Sequence, residues 1–191
     1  MKTDIILAGV GGQGILSIAA VLGQAALEDS LYLKQAEVHG MSQRGGDVQS
    51  NLRLSSKPIA SDLIPLGKAD LIISLEPMEA LRYLPWLSPE GTIVTNSVPF
   101  INIEPYPSQE VLQDQYGAIP SKVVIDAEKI AKEVTGTART ANMVMLGAAS
   151  SYIEIDYPKI REAVKRIFAR KGEEMIQMNL KALDAGRASA K

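Results

Sequence analysis

Two short stretches hold most of the groups that could meet a ligand. The first is Gly9-Val10-Gly11-Gly12-Gln13-Gly14, with glycines at 9, 11 and 14 in a G-x-G-x-x-G spacing. Glycines there allow a tight turn and a close backbone approach, and the amides that open a following helix can hold a phosphate or a carboxylate. A dinucleotide reading also needs an acid about twenty residues further on, to meet a ribose; Glu37 is the candidate. The plainer alternative is that the glycines only let a helix pack on a strand. Gln13 and the additional Gly12 make the loop more polar and flexible than redox-cofactor binding alone requires.

The second stretch is His39-Gly40-Met41-Ser42-Gln43-Arg44-Gly45-Gly46. It sets an imidazole, a hydroxyl, an amide and a guanidinium between glycines. Arg44 can grip a carboxylate or phosphate with two parallel hydrogen bonds, and Gly45-Gly46 lets backbone donors approach the same anion. A salt bridge or a protein contact would explain Arg44 equally well. A hydrogen-bonded structural role suits His39, and packing suits Met41.

Composition narrows the chemistry. The 191 residues are 46% hydrophobic and 22% charged, with a net charge of -2, a globular balance that favours neither nucleic acid nor an anionic membrane as a bulk partner. No apolar run is long enough to span a bilayer, and the first residues are too short for a signal peptide, so a cytoplasmic location is expected. Cysteine is absent and His39 is the one histidine. Disulfides, thiolate catalysis and cysteine-ligated clusters within this chain are excluded, and so is a histidine-rich metal site.

The elements that must position the two loops are legible as periodicities. Residues 4–8 form an apolar run that leads into the first loop, as a central parallel strand would. Apolar residues from Ile15 to Ala26 recur at helical spacing. Residues 32–37 read as a second strand. Residues 48–54 alternate, which suits an edge or antiparallel strand with one polar face. Residues 69–75, 91–96 and 122–126 read as further strands. Pro77 opens a helix reaching Leu84, and Glu76 starts it. Residues 98–106 read as an irregular excursion, and Asp126 caps the helix that follows it. Helices are expected over 142–152, 159–169 and 173–185, the last with a stripe of Ile176, Leu180 and Leu183 that either docks on a partner or, the reading preferred here, packs on its own domain. Gly147-Ala148-Ala149 suits close helix packing. Ser74, Asn96 and Ser97 fall near strand carboxyl ends, where ligands of such sheets gather. The expected architecture is a Rossmann-like three-layer α/β fold. Its sheet is mostly parallel with at least one edge or antiparallel strand, and the whole is one domain over 1–191 with a helical C-terminal extension from about 155.

Taken together, Gly9 to Gly14 and Glu37 to Gly46 resemble the small subunit of 2-oxoacid:ferredoxin oxidoreductases, the beta or gamma unit. The wording of the second loop is most similar to the indolepyruvate branch. The resemblance covers Met1 to about Tyr152. It implies an oxidative decarboxylation in which a 2-oxoacid and coenzyme A give acyl-coenzyme A, carbon dioxide and reduced ferredoxin, with thiamine diphosphate and iron–sulfur clusters as cofactors. This chain has no cysteine for clusters, and Gly46-Asp47-Val48 is only a fragment of a thiamine motif. The resemblance therefore implies a larger partner subunit that holds both cofactors and reaches ferredoxin, with no activity from this chain alone. Coenzyme A contact is implied for Gly9, Gly11, Gly12, Gln13, Gly14, Arg44 and Gly45, none of which receives a catalytic proton-transfer role. Two alternatives stay open: a stand-alone NAD(P)- or flavin-binding oxidoreductase, and a purely structural subunit. In isolation the chain could form a homodimer.

Overall fold

A computed structural model of the protein describes residues 1–39, 45–101 and 104–190. The chain runs β1 (Lys2–Val10), α1 (Ile15–Glu28), β2 (Tyr32–His39), β3 (Asp47–Ser55), β4 (Ala69–Ser74), α2 (Pro77–Arg82), β5 (Leu87–Asn96), α3 (Gln109–Gly117), β6 (Lys122–Ile125), α4 (Ala127–Thr135), α5 (Ala141–Ala149), α6 (Tyr157–Phe168) and α7 (Glu173–Ser189), with short 3-10 turns between some of them.

The six strands form one sheet in the order β2-β3-β1-β4-β5-β6. β1, β4, β5 and β6 are mutually parallel, whereas β3 runs antiparallel to both β1 and β2. The expected antiparallel strand is therefore present, but it is interior, and β2 takes the edge. From Thr3 onward every β1 residue is buried, because both faces of the sheet are covered. Ile5, Leu7, Leu71, Ile73 and Val94 face one core with α1, α4, α5, α6 and α7. Ile6, Ala8, Ile72 and Ile93 face a smaller core with Ala80 of α2 and Tyr116 of α3.

β3 explains its own alternation. Leu52 and Leu54 enter the large core. On the other face Asn51 is 2% exposed and accepts a hydrogen bond from the Ile64 amide at 3.1 Å. Arg53 donates to both oxygens of the buried Asp4 carboxylate, at 2.8 and 2.9 Å, and to the carbonyls of Ser61 and Leu63. The polar face is thus covered by the 56–66 loop instead of by water. Such a buried pair needs acceptors for the protons left over, and the two loop carbonyls take those of the Arg53 Nη1.

One helix escaped the sequence reading. α3 follows the proline-rich excursion, with the Ser108 hydroxyl accepting from the Val111 amide and Leu112 and Tyr116 buried. Its mean character is polar and it has only those two core positions, so its period was faint. The helices read from 142, 159 and 173 are present as α5, α6 and α7. The preferred reading of the α7 stripe holds: Leu180 and Leu183 enter the same core as β1, and so do Ile160, Val164 and Phe168 of α6. The segment from about 155 onward thus shares the core of the first 150 residues.

α5 is buried on nearly every side, which requires close neighbours. A Cβ added at Gly147 would lie 2.0 Å from the Leu183 carbonyl oxygen, and one at Gly186 would lie 1.9 Å from that of Val144. Here α5 and α7 touch backbone to backbone, and neither can yield as a side chain would. Gly186→Ala is expected to lower stability by at least about 3 kcal/mol, read as a shift in the urea midpoint, whereas Gly117→Ala, where a Cβ meets nothing within 4 Å, should cost no more than about 1 kcal/mol. Equal effects of the two substitutions would refute the close-contact account.

Candidate functional site

The carboxyl end of β1 is where the chain's direction of travel divides. β1 leads through α1 toward β2 and β3 on one side, and β4 leads through α2 toward β5 and β6 on the other. Open α/β sheets hold ligands at such a point. The Gly9–Gly14 loop crosses it.

The loop is held largely by its own polar groups. The Gln13 Oε1 accepts from the Val10 amide at 2.8 Å, and the Gln13 Nε2 donates to the Leu75 carbonyl at 3.1 Å, just past the end of β4. The Gln13 amide donates to the Val10 carbonyl at 3.1 Å. Gly12 and Gly14 sit at φ 102° and 88°, a left-handed region that a side chain would strain. Gly14 has a second constraint: a Cβ would lie 2.6 Å from the Asn142 Nδ2, which donates to the Gly14 carbonyl at 3.2 Å. At Gly9 a Cβ would meet the Gln13 Oε1 at 2.8 Å. Gln13, read from sequence as a source of flexibility, is a clasp.

Gly45 and Gly46, at the close of the second loop, lie against the first. β3 begins beside the end of β1, with Asp47 opposite Val10. The Gly11 amide donates to the Gly46 carbonyl at 2.8 Å, and the Gly45 amide lies 3.5 Å from the Gly11 carbonyl. Arg44 and residues 40–43 lie outside the described residues; His39 closes β2 with its backbone. Of the predicted contact residues, Gly9, Gly11, Gly12, Gln13, Gly14 and Gly45 come together. The amides of Gly11 and Gln13 are already bonded within the protein, while Gly12 is exposed.

Glu37 does not join them. β3 stands between β1 and β2, so the end of β2 lies two strand spacings from β1, about 9–10 Å. In a dinucleotide fold the acid sits on the strand next to β1. Glu37 is exposed and outside that reach.

Beyond the glycine loop a cavity of about 220 Å³ opens between the ends of β4 and β5, the first turn of α4 and the start of α5. Gly12, Gln13, Asn96, Glu128, Arg139 and Asn142 line it. Asn96, placed near the crevice from sequence, is buried and braces the wall. Its Nδ2 donates to the carbonyls of Leu75 and Val98, at 3.4 and 3.3 Å, and its Oδ1 accepts from the Ala127 amide at 3.1 Å. Ser74 is spent on Glu76, and Ser97 pairs its amide with the Ile125 carbonyl. Asp126 caps α4 through the Lys129 amide, as expected. Arg139 and Glu128 were not singled out from sequence; they line the cavity from the 138–140 turn and the first turn of α4.

Buried acids flank the other side. Glu76 starts α2, its Oε2 accepting from the Glu79 amide at 2.8 Å, while its Oε1 accepts from the Phe100 amide and the Tyr106 hydroxyl. Burial, and then the charge of Glu76, push the Tyr106 hydroxyl above its ordinary range. Tyr83 is pushed up to about 12, first by burial and then by Asp47 and Glu79. Glu79 is raised from its ordinary 4.5, chiefly by burial, although Arg82 donates to it at 2.8 Å. Among the described residues, no group of three or more histidine or acidic side chains is placed to hold a metal ion, and no helix is long and apolar enough to cross a membrane.

Comparison with known proteins follows this geometry. Residues 4–189 match the profile of the family described as pyruvate ferredoxin/flavodoxin oxidoreductase, well past Tyr152. The indolepyruvate oxidoreductase subunit IorB of Pyrococcus horikoshii is 36% identical, over 98% of this chain and 96% of that one. The 2-oxoglutarate synthase subunit KorC of Methanothermobacter marburgensis is 29% identical, over 98% and 96%. Among solved structures, the 2-oxoglutarate:ferredoxin oxidoreductase of Magnetococcus marinus, with 2-oxoglutarate, coenzyme A and succinyl-CoA bound, matches with a TM-score of 0.76 and 25% identity. That match covers 99% of this chain and 31% of the longer one. The pyruvate oxidoreductase subunit PORC of Thermotoga maritima shares the fold, with a TM-score of 0.76, 21% identity and coverage of 98% and 96%.

Two measurements test the site's construction. Gln13→Ala strands the buried Val10 amide and is expected to cost about 1–3 kcal/mol in urea unfolding, with Gln13→Glu unable to restore the bond to the Leu75 carbonyl. A change within error would refute the clasp. For Glu79, a carboxyl raised in the fold binds its proton more tightly folded than unfolded. Its ionisation therefore removes stability as pH rises from about 4.5 through the raised value. Glu79→Gln should flatten that segment of the stability–pH curve, followed by urea midpoints between about pH 4 and 8; an identical slope in both proteins would show that burial does not govern this group.

Proposed function

Because the chain belongs to the pyruvate ferredoxin/flavodoxin oxidoreductase family, we propose that it is the small, cluster-free subunit of a 2-oxoacid:ferredoxin oxidoreductase of the indolepyruvate branch. Its two glycine loops form one wall of a site that a larger subunit completes. The observation that carries this reading is the bonded junction of the loops, Gly11 to Gly46. That junction brings the close of the second motif to the first at the carboxyl end of β1.

The chemistry divides between chains. In the overall reaction a 2-oxoacid loses carbon dioxide, its electrons pass to ferredoxin, and the acyl group becomes a thioester of coenzyme A. Thiamine diphosphate supplies carbanion stabilisation and iron–sulfur clusters carry single electrons. The residues of this chain fit neither group. There is no cysteine to ligate iron. Gly46-Asp47-Val48 is only a fragment of a thiamine motif, and its Gly46 carbonyl is taken by the Gly11 amide. The larger subunit holds both cofactors, and the complex resides in the cytoplasm.

This chain's own part is binding and orientation. Gly9, Gly11, Gly14 and Gln13 shape the first loop. Gly12, whose backbone is exposed, is assigned with Arg44 and Gly45 to contact with the acyl acceptor. Support for coenzyme A as that acceptor comes from the Magnetococcus relative, whose structure holds it and succinyl-CoA. The displacement of Glu37 from β1 weighs against a stand-alone NAD(P) enzyme.

The test is anaerobic co-expression with the large subunit, followed by reduction of a ferredoxin surrogate with aryl and aliphatic 2-oxoacids and coenzyme A. Activity is expected from the complex and absent from the isolated chain. NAD-dependent oxidation by the isolated chain would overturn the reading. In the complex, Arg44→Ala is expected to raise KM for coenzyme A about tenfold or more, with assembly retained, since a charge-assisted hydrogen bond contributes about 1.5–3 kcal/mol. Unchanged kinetics would instead make this a purely structural subunit.

A further inference from the structure

We propose that Phe100 and Ile101 form an apolar anchor that docks on the larger subunit, held out for that contact by the buried carboxylate of Glu76; this rests on the two-subunit reading above. Neither the loop motifs nor the family resemblance drew attention to this pair.

Phe100 is 46% exposed and Ile101 is 67% exposed. A single exposed apolar side chain is ordinary in a folded protein. Two adjacent ones differ when the backbone beneath them is fixed, because a fixed tip cannot fold back to bury them. The segment leaves β5 at Asn96 and is tied at once. The Ser97 amide donates to the Ile125 carbonyl at 2.8 Å, and the Asn96 Nδ2 donates to the Val98 carbonyl at 3.3 Å. The Phe100 amide donates to the Glu76 Oε1 at 3.3 Å, and the Tyr106 hydroxyl donates to the same oxygen. Ties therefore stand on both sides of the exposed pair. Glu76 is 1% exposed, and its other oxygen accepts from the Glu79 amide. Three donors thus meet a buried carboxylate, and movement of the segment would strip it of two of them. A tip fixed in this way loses little conformational freedom on binding.

Position and charge select the occupant. β1, β4 and β5 are parallel, so this segment leaves the sheet at the same end as the first glycine loop. Hydrogen bonds join the two. The Leu75 carbonyl accepts from Gln13 and from Asn96, and Asn96 also reaches Val98. The exposed pair therefore continues the wall that the larger subunit completes. Glu104 is exposed three residues further on, an acid that disfavours an anionic membrane surface. In the Magnetococcus relative the matching unit is 31% of a longer chain, so there it is built in one polypeptide with a further protein body. A permanent neighbour of that kind is met through an apolar contact in which a few anchoring side chains carry most of the energy.

The experiment uses the co-expressed complex. Ile101→Ser is expected to weaken subunit association about tenfold, and Ile101→Ser combined with Phe100→Ser to weaken it further, measured by mass photometry on dilution. The urea midpoint of the full chain alone should stay unaltered, since both side chains are exposed. Val111→Ser, at a 50% exposed apolar position on α3, should leave association unaltered. With p-benzoylphenylalanine in place of Ile101, irradiation is expected to cross-link this chain to the larger subunit. Unaltered association in both variants, equal weakening by Val111→Ser, or a cross-link only to a second copy of this chain or to ferredoxin would overturn the anchor and leave the proposed function standing. Weakened association with a matching loss of stability would assign the pair to folding and overturn it too. A wild-type chain that forms no complex with the larger subunit would instead overturn the reading on which the anchor rests.

Discussion

The hydrogen bond from the Gly11 amide to the Gly46 carbonyl exists because β3 runs against the rest of the sheet. An antiparallel neighbour of β1 begins where β1 ends, so Gly45 and Gly46, which enter β3, arrive beside the loop that leaves β1. A parallel strand in that place would have brought its exit there instead. The same reversal moves β2 outward by one strand and carries Glu37 away from the first loop. A single change of strand direction thus brings Gly45 and Gly46 to Gly11 and takes Glu37 away from the place of a ribose-binding acid.

That surface stands on braced ground. The Leu75 carbonyl accepts from both Gln13 and Asn96, joining the first loop to β4 and β5 through one acceptor. Asn142 secures Gly14 to α5, and Glu76 secures α2 to the segment around Phe100. Buried polar groups with all partners present rigidify a site, since movement would leave each of them unsatisfied in a medium of low polarity. The Gly12 backbone and the Arg139 side chain are exposed beside this frame of engaged Gln13, Asn96 and Asn142 amides.

The energetics of the helical layer serve the same end. α5 lies under the loop at the closest possible distance from α7, since Gly147 and Gly186 admit the opposing backbones. Pressing α5 inward in this way sets Asn142 against Gly14 and brings the 138–140 turn to the cavity edge. α7 therefore helps to position the site although it contributes no residue to the cavity lining.

Much of this was legible in the residues. Burial on both faces makes β1, β4 and β5 near-continuous apolar runs, and a 3.6-residue period marks α1, α5, α6 and α7, so the α/β class and most elements follow from local pattern. Glycine spacing marks both loops, because positive φ and close approach admit little else. α3 was hidden by its polar surface, and the interior place of β3 by an alternation that reads the same at an edge as beneath a covering loop. Gln13 looked like loop polarity, since its acceptor Leu75 is 62 positions away. Arg139 looked like any surface arginine. Composition and motif spacing determined by themselves the fold class, the two loops, the lack of cluster ligands and the family likeness, all of which are properties of neighbouring residues or of residue counts. Only the tertiary structure decided that Gly11 bonds to Gly46, that Glu37 stands apart and that Arg139 lines the same cavity as Gly12, because strand order and helix packing join residues that no local period connects.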